Sequence, residues 1–139
     1  MFTVSVLYSN RFEDENTMNQ LNLSRKYFED SIEKKLDLNQ FLIKHPSATF
    51  FVRVEGDSMK GAGIYDKDLL IVDRALSPKS GQIVVAVLNG EFTVKRVKIK
   101  SDKAFLIPEN PNFPPMEVTK DVDFQVWGVV TYAIHSCTV

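Results

Sequence analysis

Three features of the sequence predict a mostly-β domain that carries an N-terminal helical or mobile arm. Short apolar runs recur after residue 46 with the alternation of half-buried strands. Turn-rich pieces such as "LSPKSG" and "PENPNFPP" separate them. Before residue 46 the apolar spacing is helical instead. The arm is assigned to residues 1–46 and the β domain to residues 47–139.

In the arm, Thr17 and Gln20 have capping-box spacing, in which each side chain satisfies an orphan backbone donor at a helix start. Leu21, Phe28 and Ile32 then fall along one stripe. Arg25 with Glu29, and Asp30 with Lys34, have the i, i+4 spacing at which opposite charges attract weakly. Asp37 is placed to cap a second short helix through Phe41 and Leu42, which Pro46 would stop. The stripe is thin, so the arm is expected to order only against the core or a partner.

The predicted strands are 49–55, 69–74, 82–88, 91–99, 104–108 and 124–134. In the first, Phe50, Val52 and Val54 alternate with Phe51, Arg53 and Glu55, the latter pair read as solvated. The clearest hairpin is "IVVAVLNGEFTVKRVKI". Asn89 and Gly90 both tolerate positive φ and suit its two-residue turn.

Totals narrow the function. With 17 basic and 18 acidic side chains the net charge is −1, too balanced to hold nucleic acid by phosphate contacts alone. The lone cysteine, Cys137, supports neither a disulfide framework nor a cysteine-based zinc site and agrees with a reducing compartment. No metal or cofactor is expected. No apolar run approaches the length of a membrane span, and the opening "MFTVSVLYSNRFEDEN" lacks the marks of a secretory signal. A cytoplasmic protein is the expectation.

The candidate chemistry lies where the first strand breaks into "EGDSMKGAGI". A serine hydroxyl is a poor nucleophile near neutral pH and needs an adjacent base. The only histidines are His45 and His135, read as a residue before a proline turn and an end-of-strand residue. G-D-S also opens a motif of certain esterases, but those carry D-x-x-H near the C-terminus, and no such spacing precedes His135. Lysine offers more. In "EFTVKRVKI", Thr93, Lys95, Val97 and Ile99 share one strand face. If Val97 and Ile99 turn inward, Lys95 is carried with them, and a desolvated lysine can be neutral and accept a proton. Thr93 could orient the amine. Met59 reads as packing, and Asp66, Asp68 and Asp73 as turn and surface residues.

The segments "VEGDSMKGAGIYDKDLLIVDR" and "NGEFTVKRV" resemble the LexA/UmuD class of self-cleaving Ser–Lys peptidases, in a LexA/signal-peptidase-like β domain. "DLNQFLIKHPSATFFVRVEGDSM" and "GEFTVKR" resemble the UmuD type in particular. The resemblance implies Ser58 as nucleophile, Lys95 as general base, and backbone N–H groups of Asp57 and Ser58 as oxyanion donors. Gly56 would let substrate backbone approach. It further implies a homodimer (or a heterodimer with a cleaved form), activation by a RecA filament on single-stranded DNA, and partnership with a UmuC-type translesion polymerase and the replication clamp. No direct sequence-specific DNA binding is expected, since residues 1–46 show no recognition helix. A membrane signal peptidase would need an anchor.

One feature departs from that pattern. Such proteins cut themselves at Ala-Gly or Cys-Gly in the arm, and neither dipeptide occurs before residue 46. Counting back from "DLN" places the bond at Asn22–Leu23. Asparagine and leucine suit a narrow cleft poorly. The alternative to self-cleavage is therefore a non-cleaved dimerisation or accessory module with an unused dyad.

Overall fold

The computed structural model describes residues 35–138. The predicted arm helix, with Thr17, Gln20, Leu21, Phe28 and Ile32, and the predicted bond Asn22–Leu23 lie outside the described residues.

Asp37 does cap a short helix. Its Oδ1 accepts the N–H groups of Asn39 (3.0 Å) and Gln40 (3.5 Å), and α1 runs Leu38–Leu42. Because proline fixes φ and lacks an N–H, the chain resumes at Pro46 as a 3₁₀ turn, Pro46–Ala48. Seven strands follow: β1 Thr49–Arg53, β2 Leu69–Asp73, β3 Ile83–Leu88, β4 Glu91–Lys100, β5 Lys103–Ile107, β6 Met116–Val118 and β7 Phe124–Ile134. They form one antiparallel sheet in the order β1-β2-β7-β3-β4-β5-β6. Each predicted strand is present, with no end moved by more than two residues and 124–134 unchanged. β6 was not predicted: it has three residues, follows Pro114 and Pro115, and presents no buried alternation. At the β3–β4 turn Asn89 and Gly90 have φ of 49° and 84°, closed by the Leu88–Glu91 pair.

Both sheet faces carry apolar packing. Val54, Met59, Ile64, Leu70, Val72 and Val85 form one cluster; Val84, Ala86, Val97, Leu106 and Val129 form the other. Adjacent Val84 and Val85 fall in different clusters, as the two-residue period of a strand requires. β7, the longest strand, lies between β2 and β3 and bears two bulges, where Trp127 and Thr131 are each an extra residue in the ladder. Bulges bend a strand and increase its twist. Here they bend the strand through which β1–β2 and β3–β4 are joined.

Two readings from the sequence are corrected. Asp68 and Asp73 are not surface residues, being 2% and 3% exposed. They flank and end β2, where burial requires partners, and the histidines supply them. Nδ1 of His45 lies 2.6 Å from Asp73 Oδ2, and Nδ1 of His135 lies 2.6 Å from Asp68 Oδ1. His45, before the proline turn, and His135, just past the end of β7, stand where the sequence put them and are in addition the partners of buried carboxyls. Asp66 is exposed, as predicted.

Candidate active site

β1 delivers the chain to a turn that only certain residues can make. Gly56 has φ +93°, a conformation that L side chains rarely adopt, and its N–H is held by Asp66 Oδ1 at 2.9 Å. A Cβ there would meet nothing within 4 Å, so glycine is required by backbone conformation and not by crowding. Ser58 follows, half-buried, and Met59 is sunk into the core at 2% exposure. Met59 thereby anchors the turn from below, because its burial fixes the backbone on which Ser58 stands.

A second loop braces this turn. Asn110 Nδ2 donates to the Asp57 carbonyl (2.9 Å), which also accepts the Lys60 N–H (3.2 Å). Gly61 donates its N–H to the Glu109 carbonyl at 2.5 Å, and a Cβ at Gly61 would lie 2.5 Å from that same oxygen. The Glu109 carboxylate meanwhile pairs with Arg96, the neighbour of Lys95. One loop therefore touches both the serine turn and the lysine strand. In the sequence "PENPNFPP" reads as a connection only, because an asparagine among prolines carries no signal of a distant partner.

Lys95 arrives from β4. Val97, on the same face, is buried at 5% exposure, but Ile99 is 54% exposed, so the inward face ends earlier than the sequence pattern indicated. Lys95 Nζ lies 3.0 Å from Ser58 Oγ, 2.9 Å from Thr93 Oγ1 and 3.0 Å from the Val94 carbonyl. Three strands separate β1 from β4 in the sheet order, so this contact requires the sheet to curl. Burial pulls the Lys95 amine below the ordinary lysine pKa. The neutral amine has two N–H donors and one lone pair. The Val94 carbonyl can only accept, and the Thr93 hydroxyl can accept as well. With both donors so engaged, the lone pair is left for the Ser58 hydroxyl.

The serine opens onto a cleft of about 330 Å³ lined by Val52, Val54, Met59, Val85, Phe92 and Val94, with Arg53, Glu55 and Thr93 at its polar parts. Its walls include strand edges without partners among the described residues. β1 pairs only with β2, and β4 pairs with β5 only from Arg96 onward. An extended peptide can add to such edges through main-chain hydrogen bonds. No acceptor among the described residues takes the N–H of Asp57 or Ser58. Of the predicted site residues, Gly56, Asp57 and Ser58 follow one another in the turn, Lys95 meets Ser58 at 3.0 Å and Ser58 lines the cleft, while Asn22 and Leu23 lie outside the described residues. Among the described residues no histidine, cysteine or carboxylate cluster could hold a metal, and no helix is long and apolar enough to cross a membrane.

Comparison with known proteins assigns the chain a family. The family model described as peptidase S24-like matches residues 22–131. The chain is 48% identical over 106 residues to the protein SamA of Salmonella typhimurium strain LT2, covering 76% of this chain and 73% of that one. It is 42% identical over 103 residues to the protein MucA of Escherichia coli, covering 73% and 70%. Against the LexA repressor of Xylella fastidiosa strain M23 it is 48% identical over 84 residues, 60% of this chain and 40% of the repressor. On the strength of the match over residues 22–131, the chain belongs to the peptidase S24-like family, of the UmuD/LexA type.

Proposed function

We propose that the protein is a Ser–Lys autopeptidase that removes its own N-terminal arm and then serves as an accessory subunit of an error-prone translesion polymerase in the SOS response. The observation that carries the catalytic part is the 3.0 Å approach of a desolvated Lys95 amine to Ser58 Oγ. In this mechanism the neutral amine takes the hydroxyl proton as Oγ bonds to the scissile carbonyl carbon. The N–H groups of Asp57 and Ser58 receive the oxyanion. The ammonium of Lys95 then protonates the departing amine, the C–N bond breaks, and an ester remains on Ser58. Water, deprotonated by the same amine, hydrolyses that ester.

Family membership and the likeness to SamA and MucA support the wider role. The expected assembly is a homodimer, or a heterodimer with a cleaved form. A RecA filament on single-stranded DNA is the trigger, and a UmuC-type polymerase and the clamp are the downstream partners. The test is direct. At about pH 10, near the ordinary lysine value, the purified chain should release a fragment from around Asn22–Leu23. Ser58→Ala and Lys95→Ala should stay intact. Full-length wild type after long incubation, with and without RecA filament, would refute self-cleavage.

The absence of Ala-Gly or Cys-Gly before residue 46 favours one alternative, an accessory module whose dyad is unused. A Ser58→Ala variant that supports damage-induced mutagenesis as well as wild type would decide for it. Loss of mutagenesis with the fold intact would decide against it.

A further inference from the structure

The Asp57–Ser58 peptide is held from the side opposite its N–H. In a trans peptide the carbonyl and the N–H point in opposite directions. Fastening the Asp57 carbonyl therefore also fixes the direction of the Ser58 N–H. The fastener is unusually well defined. Asn110 Oδ1 accepts the Asn112 N–H at 3.0 Å, and the Asn110 carbonyl accepts the Phe113 N–H at 3.0 Å. With Oδ1 committed as acceptor, Nδ2 is the end that faces Asp57, donating at 2.9 Å. The Lys60 N–H shares the same carbonyl at 3.2 Å, so that oxygen carries two donors.

We propose that Asn110 is a positioning residue for the oxyanion site: by holding the Asp57 carbonyl it aims the Ser58 N–H and strengthens it as a donor. The physical basis is twofold. A rigid donor stabilises charge in the transition state without reorganising. A hydrogen bond accepted at an amide carbonyl also polarises that amide, so its N–H donates more strongly. Asn110 itself touches neither the serine hydroxyl nor the lysine amine, and it acts only through the intervening peptide. The inference rests on the Ser58–Lys95 chemistry proposed above, but not on the arm being a good substrate.

The test uses a fluorophosphonate on the full chain, read by mass spectrometry from pH 6 to pH 11. The Ser58 Oγ–P bond forms, the P–F bond breaks, fluoride leaves, and Lys95 takes the proton. The oxygen that gains charge on phosphorus occupies the oxyanion site. Asn110→Asp keeps the Oδ1 acceptor for Asn112 and removes the donor to Asp57; Asn110→Ala removes both. Both should label about 10–100-fold more slowly than wild type at every pH, because one aimed donor is degraded. The pH of half-maximal labelling should not move, because Lys95 keeps its partners. Wild-type rates in Asn110→Asp would overturn the proposal by reducing Asn110 to a turn former. An upward shift of the half-maximal pH would overturn it too, since that reports Ser58 and Lys95 drawing apart. Should Asn110→Ala fail to fold, Asn110→Asp carries the comparison. A wild type that labels without self-cleaving refutes the cleavage reading alone; one that never labels refutes both.

Discussion

Lys95 shows how a single residue can be costly to the fold and useful to the site. Its amine is surrounded by two hydroxyls and one carbonyl, and burial lowers its pKa. The folded value is therefore below the unfolded one, so between the two values the unfolded chain binds more protons and stability rises with pH. Below the folded value the burial penalty is present in full; above the unfolded value, about 10.4, it is gone. Replacing Lys95 by methionine removes the titrating group while keeping similar bulk. The melting temperature of Lys95→Met relative to wild type should be most favourable at neutral pH and decline toward pH 10–11. A difference that stays constant with pH would show that burial of the amine does not couple to folding. Catalysis should follow the same deprotonation in the same direction, rising with pH as the amine loses its proton. In the sequence, a strand-end turn and a strand face made Ser58 and Lys95 candidates, and the resemblance of G-D-S-M and T-V-K-R to the Ser–Lys peptidases implied their roles. Asn110 could not be, because its role depends on a contact with Asp57 that no periodicity encodes.

At the level of elements, the site depends on β7, a strand that carries none of the reacting groups. Bulges at Trp127 and Thr131 bend it, and Gly128 sits beside the first, buried against β2. A Cβ at Gly128 would come within 2.5 Å of Val72 Cγ1 and 3.1 Å of Arg74 Cγ. Val72 is 0% exposed and β-branched, so it has no other place to go. Gly128→Ala should cost about 1–3 kcal/mol in chemical denaturation, the usual range for overpacking a filled core. It should also slow Ser58 labelling by more than the change in folded fraction accounts for, because moving β2 away from β7 alters the curl that joins β1 to β4. Unchanged labelling in a folded variant would show that the curl is fixed elsewhere. The strands themselves were legible, since Val- and Ile-rich alternation and the Asn89–Gly90 turn are local signals. β6 was not, because three residues after two prolines, with only Val118 partly buried, carry no alternation. Neither was the curl: bulges are properties of register, and register is a relation between strands.

Across the molecule, β2 is held at both ends by the chain's two histidines. Asp68, just before β2, takes His135 from beyond the end of β7; Asp73, at its end, takes His45 from before the 3₁₀ turn. Each carboxyl has backbone donors as well, Tyr65 N–H at 2.9 Å for Asp68 and Ala75 N–H at 2.8 Å for Asp73. Residues 45 and 135 lie near opposite ends of the compact sequence that starts at Leu42, so the two pairs fasten its entry and its exit to one strand, next to the sheet edge. For Asp73, burial raises the carboxyl pKa, but the His45 hydrogen bond and charge with the backbone donors outweigh it, and the net shift is downward. A carboxyl lowered in the fold contributes stability above its unfolded value, about 3.9, and loses that contribution as pH falls through the folded value. His45→Ala removes the strongest lowering partner, so the folded pKa rises and acid unfolding should begin at a higher pH than in wild type. At neutral pH the same variant should lose about 1–3 kcal/mol, the cost of leaving a buried carboxylate short of a donor. The two clips stand five residues apart along an extended chain, roughly 16 Å, with no shared partner. Their losses in His45→Ala, His135→Ala and the double variant should then add to within about 0.5 kcal/mol. A double variant clearly less destabilised than the sum would mean that opening one end already releases the other, and β2 would have to be regarded as one cooperative latch.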